Sequence, residues 1–264
     1  MKEHKKVNTS EPTKSKPASG LKVVAVIPCF NTEKTIGPII AKTLKYVDEA
    51  VVIDDGCEDN TAEVARAAGA RVVSHHGNKG YGAAIKTGFA EAKEIGADIM
   101  ITIDGDGQHS PDEIPDVLFP IINDGADLTI GSRFLPPSQS SNSCVSPSSV
   151  SSQMLETMPR YRKFGIMVIS WLWNFGSQIK VTDTQSGFRA YSKRIIQDIN
   201  LRENGMSISI EILERVREKK FIIREVSATC WYSDHHPSFV TEAFSHGIGV
   251  AFSVPRIRLT KWRK

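Results

Sequence analysis

The sequence predicts an α/β fold built on a mostly parallel sheet with helices on both faces. Short, β-branched apolar runs alternate five times with helical segments between residues 22 and 133. The connections between them are short, which favours parallel strands joined by crossover helices. Polar residues follow four of these strands, and sheets of this kind bind ligands at the carboxyl ends of their strands.

Each element of this first part has a local signal. Apolar runs predict strands over 22–27, 50–53, 71–74, 98–103 and 127–130. Helical segments lie between them, with Asn60 or Thr61 as one N-terminal cap and glycines at the ends of two helices. The predicted helices cover 33–46, 61–68, the stretch from the glycines at 80 and 82 to residue 95, and 111–123.

The second part of the chain reads less regularly. A polar segment over 181–191 precedes a short helix, and residues 207–219 have the pattern of an amphipathic helix. Residues 221–231 are expected to return to the sheet as a strand. A loop follows, and residues 242–264 could form a final helix interrupted at Pro255.

Composition bounds the possible functions. The chain has 264 residues, 40% hydrophobic and 24% charged, as expected for a globular protein. A net charge of +3 is too small to argue for nucleic-acid binding. The four cysteines form no CxxC pair and show no zinc spacing, so we expect reduced thiols and a cytoplasmic protein.

Composition also suggests how the chain is divided. Residues 1–20 are rich in lysine and serine and are expected to be a disordered basic arm. The main domain is expected over 21–235. Residues 136–153 are mostly serine without a period, which is typical of a linker, an active-site lid or a disordered insertion. Residues 236–264 form a basic tail that could face a membrane.

The apolar segment 164–175 allows two interpretations. It is too short to cross a bilayer, and no apolar run in the chain reaches about 18 residues. A buried core helix is one explanation. Its basic entry at 160–163 and its two tryptophans also suit a helix that lies in a membrane interface. The sequence does not decide between them.

The segment Asp104-Gly105-Asp106-Gly107-Gln108-His109 carries the most distinctive chemistry. It follows a predicted buried strand, and two carboxylates one residue apart repel each other unless a cation lies between them. The glycines permit a tight turn. The arrangement suits a hard divalent ion with oxygen ligands, which could in turn hold a diphosphate. The alternative is a solvated acidic turn.

Three further charged residues are candidates. Arg133 follows a strand and can either bind a phosphate or pair with an aspartate. Asp183 and Arg189 could serve as a base and a phosphate ligand, or form a structural ion pair, which the residues alone favour. The histidines match no zinc pattern and are expected to be surface or loop residues, with His109 positioned by the acidic site.

The glycines in residues 77–82 exclude two classes of enzyme. They open a helix, but they lack the spacing of a P-loop and of a dinucleotide-binding fingerprint. The first strand ends in Pro28 rather than in a glycine motif. A nucleotide hydrolase and a dinucleotide-dependent dehydrogenase are therefore disfavoured.

Taken together, these motifs resemble glycosyltransferase family 2, and more narrowly its dolichyl- and polyprenyl-phosphate sugar transferases. The resemblance covers about residues 21–231 with the motifs in order. They are VIPCFN at 26–31, VIDDG at 52–56, NKGYG at 78–82, DGDGQH at 104–109, GSR at 131–133 and SGFRAY at 186–191.

The resemblance implies a GT-A fold, which contains a Rossmann-like sheet, and an inverting transfer from a nucleotide sugar. By position, it implies a metal site for Mg²⁺ or Mn²⁺ at Asp104, Asp106 and Gln108, with Gly105 beside the donor diphosphate. Arg133 and Arg189 would meet phosphates. The nucleoside pocket would be lined by Pro28, Phe30, Thr32, Ile53 and Asp55.

The implied acceptor is a polyprenyl or dolichyl phosphate. Asp183 would lie near it, residues 136–153 would form a mobile acceptor loop, and the following helix would face the membrane. Because the acceptor phosphate is already anionic, little general-base help is needed. The enzyme is thus expected on the cytoplasmic face of a membrane, as a peripheral protein or one held by a membrane partner.

Departures from the family pattern leave the donor and acceptor open. Thr32 stands where the family often has Glu, and Ser233 and Phe239 occupy a region where the mannosyl enzymes have a basic pair. A UDP-sugar is therefore favoured over GDP-mannose. One alternative is a transferase acting on a soluble or glycan acceptor with Asp183 as general base. Another is a catalytically silent nucleotide-sugar-binding subunit.

Overall fold

The computed structural model describes residues 20–136 and 160–231, together with Met158, Val254 and Ile257. The predicted basic arm, almost all of the serine-rich segment 136–153 and nearly all of the tail 236–264 lie outside the described residues. The same holds for Cys144 and for the histidine pair at 235–236.

Within the described residues, seven strands form one sheet in the order β3-β2-β1-β4-β6-β5-β7. All pairings are parallel except those of β6, which runs antiparallel to β4 and β5. The mostly parallel sheet is thus confirmed. The strands are β1 (Val23–Cys29), β2 (Glu49–Asp54), β3 (Arg71–Ser74), β4 (Ile99–Thr102), β5 (Leu128–Ser132), β6 (Arg189–Ser192) and β7 (Ile223–Ser227).

The helices predicted up to residue 219 are present with bounds shifted by a few residues, whereas the helix expected over 242–264 lies almost wholly outside the described residues. A 3-10 turn over Pro111–Glu113 precedes the fourth of them. The helices are α1 (Glu33–Thr43), α2 (Thr61–Ala67), α3 (Tyr81–Ile95), α4 (Ile114–Asn123), α5 (Arg160–Asn174), α6 (Lys193–Asp198) and α7 (Ile208–Glu218).

Strand β6 corrects the expectation of a polar segment that leads directly into a helix. Residues 189–192 instead form a short strand between β4 and β5, so these two strands are not neighbours. The sequence did not show this because the strand has only four residues and begins with a buried arginine. The pairing of Thr102 with Arg189 brings the 183–189 segment to the carboxyl end of β4.

The sheet is buried on both faces. Alternate residues of β1 belong to two different hydrophobic clusters, with Val24 and Val26 on one face and Val23, Ala25 and Ile27 on the other. Helices α3, α5, α6 and α7 contribute to the first cluster, and α1, α2 and α4 to the second. This double burial explains why the central strands lack the polar alternation of an exposed sheet.

Helix α5 buries one side of the apolar segment 164–175 in the core and exposes the other. Ile166, Ile169 and Trp173 are buried in the core. The opposite side of the helix exposes large apolar side chains, which form a stripe at a spacing of three to four residues. This exposed stripe consists of Phe164 (70% exposed), Met167 (54%), Trp171 (63%) and Phe175 (69%).

Two further expectations concern membranes and thiols. Within the described ranges, no helix is long and apolar enough to cross a membrane. Cys29, Cys57 and Cys230 are free thiols, as expected.

Close contact between α3 and β1 makes a stability prediction possible. A Cβ atom on Gly88 would lie 2.3 Å from Cγ1 of Val26, whose branched side chain cannot turn away. We expect Gly88→Ala to lower the free energy of unfolding by about 1–3 kcal/mol, as for other overpacked cores. Chemical denaturation of the purified variant measures this.

The matched control is Gly165→Ala in α5, where an added Cβ meets nothing within 4 Å. There the better helix propensity of alanine should raise stability by about 0.5–1 kcal/mol. If both substitutions stabilise the protein, the described packing of α3 on β1 is wrong.

Candidate functional site

The candidate site lies at the edge of the sheet where the parallel strands end. β2 ends at Asp54, β4 leads into Asp104, and β5 leads into Arg133. The sheet order places β4 in the centre, with β1 on one side and β6 on the other. The predicted residues of the acidic motif and the arginine after β5 therefore converge on one edge, as the alternation of strands and helices implied.

The loop after β4 holds the two carboxylates of the motif. Asp106 accepts hydrogen bonds from the backbone N–H of Gln108 (2.9 Å) and from its side-chain Nε2 (2.7 Å). Asp104 accepts a long hydrogen bond from the Tyr81 hydroxyl (3.4 Å). Burial and the neighbouring charge of Asp106 raise the pKa of Asp104 to about 7.

Gly187 leaves the space that Asp104 occupies. A Cβ at this position would lie 2.5 Å and 2.9 Å from the two carboxylate oxygens of Asp104. The glycine of the SGFR motif is thus required by close approach rather than by an unusual backbone angle. A glycine is required at position 105 for a similar reason, because a Cβ there would lie 2.5 Å from Sγ of Cys29.

These residues fit a divalent cation. Two neighbouring carboxylates, one with a strongly raised pKa, are a combination that a cation with oxygen ligands would stabilise. Within 20–136 and 160–231, no cluster of three or more His, Cys, Asp or Glu side chains could hold a metal. The role of Gln108 as a third ligand stays a prediction.

Arg133 and Asp183 form a bidentate ion pair. Nε and Nη2 of Arg133 lie 2.6 Å and 2.8 Å from the two carboxylate oxygens of Asp183. The Asp183 side chain is fully buried. Burial alone would raise its pKa, but the charge and hydrogen bonds of Arg133 outweigh this and lower the pKa below its usual value.

Two positive side chains act on the acidic loop. The charges of Arg133 and of Arg162 in α5 oppose the effects of burial and of Asp106 on the pKa of Asp104. The sequence indicated a basic entry to α5 but did not connect Arg162 with the acidic loop. A carboxylate pair flanked by arginines from β5 and α5 is suited to bind phosphate groups together with a cation.

His109 is buried and neutral beside this site. Burial and the charge of Arg133 lower its pKa to about 4. Its Nδ1–H donates to the carbonyl oxygen of Thr229 at 2.9 Å, because a carbonyl can only accept. The acidic segment is expected to position His109, but it does not do so alone. Thr229, two residues after β7, also holds the His109 ring through its carbonyl oxygen.

Arg189 occupies a different environment from the one predicted. It is 1% exposed, and its guanidinium donates to the carbonyl oxygens of Thr184 (2.8 Å) and Ser209 (3.2 Å). Its Nε has no partner among the described residues, and Arg189 lines a small cavity of about 10 Å³ together with Tyr81 and Tyr191. A phosphate role for Arg189 stays a prediction, but in this conformation the guanidinium is buried beneath the site.

The residues predicted to line a nucleoside pocket differ in accessibility. Phe30 is 47% exposed and Thr32 is half-buried. Pro28 and Ile53 are buried, and the Ile53 side chain belongs to the core. A nucleoside could therefore contact the side chain of Phe30, but only the backbone near Ile53. The pocket assignment as a whole stays a prediction.

Asp55 is fully engaged within the protein. Its two oxygens accept the backbone N–H groups of Lys79 (2.9 Å) and Gly80 (2.8 Å), and Oδ1 lies 2.6 Å from Nδ1 of His75. Nε2 of His75 lies 2.9 Å from the Thr87 hydroxyl. His75 lies in the loop after β3, as one of the two expected alternatives has it, but it is not a surface residue, because its ring is buried between Asp55 and α3.

The residue that the sequence reasoning missed most clearly is Tyr81, the first residue of α3. Its hydroxyl reaches Asp104, and burial together with the Asp104 charge raises its pKa well above the usual value. Its position between two glycines at a helix start was visible, but nothing in the sequence placed that helix start beside the acidic loop.

The chain matches a family model described as glycosyl transferase family 2 over residues 24–199. It is 30% identical over 233 residues to a UDP-N-acetylglucosamine–dolichyl-phosphate N-acetylglucosaminyltransferase of Methanococcus voltae, covering 81% of this chain and 87% of the relative. It is 29% identical to a dolichyl-phosphate hexose transferase of Haloferax volcanii, covering 90% and 94%.

The structure is also similar to a solved one. Glucosyl-3-phosphoglycerate synthase of Mycobacterium tuberculosis, crystallised with Mn²⁺ and UDP-glucose, superposes with a TM-score of 0.63 at 20% identity. The match covers 89% of this chain and 79% of that one. At this identity the likeness concerns the fold alone, and it confirms the GT-A fold.

The electrostatics of the acidic loop give a pH prediction. In metal-free protein we expect the Asp104 carboxyl to titrate near pH 7, as measured by carbon NMR of the side chain. A carboxyl whose pKa is raised by folding stabilises the protein only while protonated, so this contribution is lost as pH rises from about 4 to about 7. Asp104→Asn should remove that loss.

Two controls test the cause. Asp106→Asn removes the like charge and should lower the pKa of Asp104. Asp98, whose hydrogen bond from Lys193 lowers its pKa, should titrate below its usual value in the same spectra. An Asp104 signal that titrates near pH 4 in the unsubstituted protein contradicts the described environment.

Proposed function

This chain belongs to glycosyl transferase family 2 and is a glycosyltransferase, and on that premise we propose that it transfers a sugar from a nucleotide sugar to a polyprenyl or dolichyl phosphate. The names of the Methanococcus and Haloferax relatives support this acceptor. We assign the transferase domain to residues 21–235.

The observation that carries the proposal is the charge arrangement at the end of β4. Asp104 and Asp106 lie close to Arg133 and Arg162, so one edge of the sheet offers carboxylates for a cation and guanidinium groups for phosphates. Bound Mg²⁺ or Mn²⁺ would neutralise the charge that develops on the departing nucleoside diphosphate. Gly187 leaves the space that the Asp104 carboxylate needs, and Gly105 allows the acidic loop to lie close to Cys29.

The state of Asp183 favours a phosphate acceptor over a hydroxyl acceptor. A hydroxyl needs a base as it attacks, and Asp183 was the candidate. Its carboxylate is buried, its pKa is lowered, and both oxygens are held by Arg133. A polyprenyl phosphate is already anionic and needs no such base. We therefore assign Asp183 to orienting Arg133, and we propose direct, inverting attack by the phosphate oxygen.

We propose a UDP-sugar as the donor. A guanine base would need two acceptor sites for its paired N–H donors, and three of the roughly four acceptor sites of the Asp55 carboxylate are taken by Lys79, Gly80 and His75. The name of the Methanococcus relative points to the same nucleotide. Phe30, with its ring exposed at the end of β1, is the group on which a base could stack.

The exposed stripe of α5 is proposed to contact the membrane that holds the acceptor. An exposed patch of four large apolar side chains is unusual on a monomeric protein. Lys163 at the start of the same helix would be near anionic headgroups while the aromatic rings enter the interface. This arrangement supports peripheral attachment at the cytoplasmic face.

The activity test uses purified protein, Mn²⁺, a panel of UDP- and GDP-sugars and a short-chain polyprenyl phosphate. We expect labelling of the lipid phosphate with a UDP-sugar and its loss on chelation. Asp106→Ala should lower kcat/KM by about a hundredfold or more, since it removes stabilisation of the departing diphosphate.

Asp124→Ala, in an exposed position after α4, is the control and should leave turnover unchanged. Transfer to a water-soluble hydroxyl but not to lipid phosphate would replace the proposal by the glycan-acceptor alternative. Nucleotide-sugar binding without any transfer would favour the silent subunit instead.

The membrane contact is tested by co-sedimentation with vesicles of phosphatidylcholine and phosphatidylglycerol. The double variant Trp171→Ser/Phe175→Ser should bind about tenfold more weakly, because two large apolar side chains no longer enter the interface. Phe119→Ser is the matched control, since Phe119 is 55% exposed on α4, at the other face of the sheet. Equal effects of the two changes would disprove a specific role for α5.

A further inference from the structure

The turn that carries Asp183 is anchored by a single carboxylate from the strand β7. Glu225 accepts the backbone N–H of Thr182 on both oxygens (3.0 and 2.9 Å). Its Oε1 also accepts the Thr182 hydroxyl (2.9 Å) and the backbone N–H of Asp183 (3.2 Å). Three donors of two consecutive residues thus converge on one side chain.

A chain of hydroxyl groups extends this anchor to the residues beside Arg133. The oxygens of Ser132 and Thr182 lie 2.6 Å apart, and the backbone N–H of Phe134 donates to Oγ of Ser132 (3.2 Å). Because an ionised carboxylate only accepts, Thr182 donates its proton to Glu225, and Ser132 must then donate to Thr182. Ionised Glu225 therefore sets the direction of both hydroxyl bonds, from Ser132 to Thr182 and from Thr182 to Glu225.

We propose that Glu225 is a positioning residue for Arg133. It does not touch the arginine. It acts through the turn that presents Asp183 and through Ser132 and Phe134, which flank Arg133 in sequence. The proposal rests on the phosphate-binding role proposed for Arg133.

The geometry explains why such an anchor is needed. The Arg133–Asp183 pair requires two coplanar hydrogen bonds, so a small rotation of the Asp183 carboxylate breaks one of them. The turn at 182–183 is outside any helix or strand, and Thr182 is exposed. Glu225 belongs to a strand paired with β5, the strand that leads into Arg133. It therefore fixes the turn relative to the same strand that carries the arginine.

The electrostatic environment of Glu225 is consistent with a positioning role. Burial, with a smaller contribution from the charge of Asp183, raises its pKa above the usual value. A second carboxylate beside Asp183 is therefore unfavourable in itself, and the hydrogen bonds that it accepts are what offset this cost.

The first experiment compares Glu225→Gln with Glu211→Gln. Glu211 is a matched control, because it is a buried carboxylate that accepts two backbone N–H groups, at Arg202 and Glu203, far from the 182–183 turn in sequence. We expect Glu225→Gln to raise KM for the polyprenyl phosphate by about fivefold or more, while nucleotide affinity without acceptor stays within about twofold. Glu211→Gln should lower thermal stability and leave both constants unchanged.

Conservative substitution at Thr182 separates positioning from folding. Thr182→Val removes the hydroxyl and keeps the backbone donor, so it should reproduce part of the rise in acceptor KM. Thr182→Ser keeps the hydroxyl, so its KM for the acceptor should equal that of the unsubstituted enzyme. Equal behaviour of the valine and serine variants overturns the hydroxyl chain.

A readout without turnover keeps this inference separate from the proposed function. The Nε–H NMR signal of Arg133, which reports its 2.6 Å contact with Asp183, should shift or broaden in Glu225→Gln and not in Glu211→Gln. An unchanged signal overturns the positioning role, whether or not the enzyme transfers sugar. A changed signal in an enzyme that does not label lipid phosphate supports the positioning role and defeats the proposed acceptor.

Discussion

The repulsion between the carboxylates of Asp104 and Asp106 is the constraint on which the site depends. A short loop holds both groups at a strand end, and burial makes their charges still more unfavourable. The neighbouring residues reduce this unfavourable energy in different ways. Arg133 and Arg162 supply positive charge, the Tyr81 hydroxyl donates a long hydrogen bond, and Gly187 leaves the space that the Asp104 carboxylate occupies.

The order of the strands in the sheet brings the other residues of the site to the acidic loop. If β4 and β5 were neighbours, the 183–189 segment could not lie between their ends. The antiparallel strand β6 separates them and brings Asp183 to Arg133, and Gly187 to Asp104. One inserted strand of four residues thus joins the two halves of the chain at the site, although it breaks the regular alternation of parallel strands.

Most of the fold followed from periodicity, because the central strands are buried on both faces and the helices between them are amphipathic. β6 did not, since four residues beginning with arginine give no strand signal. The acidic loop and Arg133 could be placed at one edge for a general reason, the direction of parallel strands. The partners of Asp55 and Asp183 could not, because sequence distances of 24 and 50 residues carry no information about which donor reaches a carboxylate.

The Arg133–Asp183 pair also bears on the kind of acceptor. An aspartate that neutralises an arginine through two hydrogen bonds is poorly suited to accept a proton from a substrate, whereas it is well suited to keep a guanidinium in one orientation. A site that uses Asp183 in this way is suited to an acceptor that arrives already ionised. α5 offers the complementary surface, because Arg162 acts on the acidic loop while its neighbours Phe164, Met167 and Trp171 are exposed. A phosphate carried on an apolar chain is the acceptor that could engage both features at once.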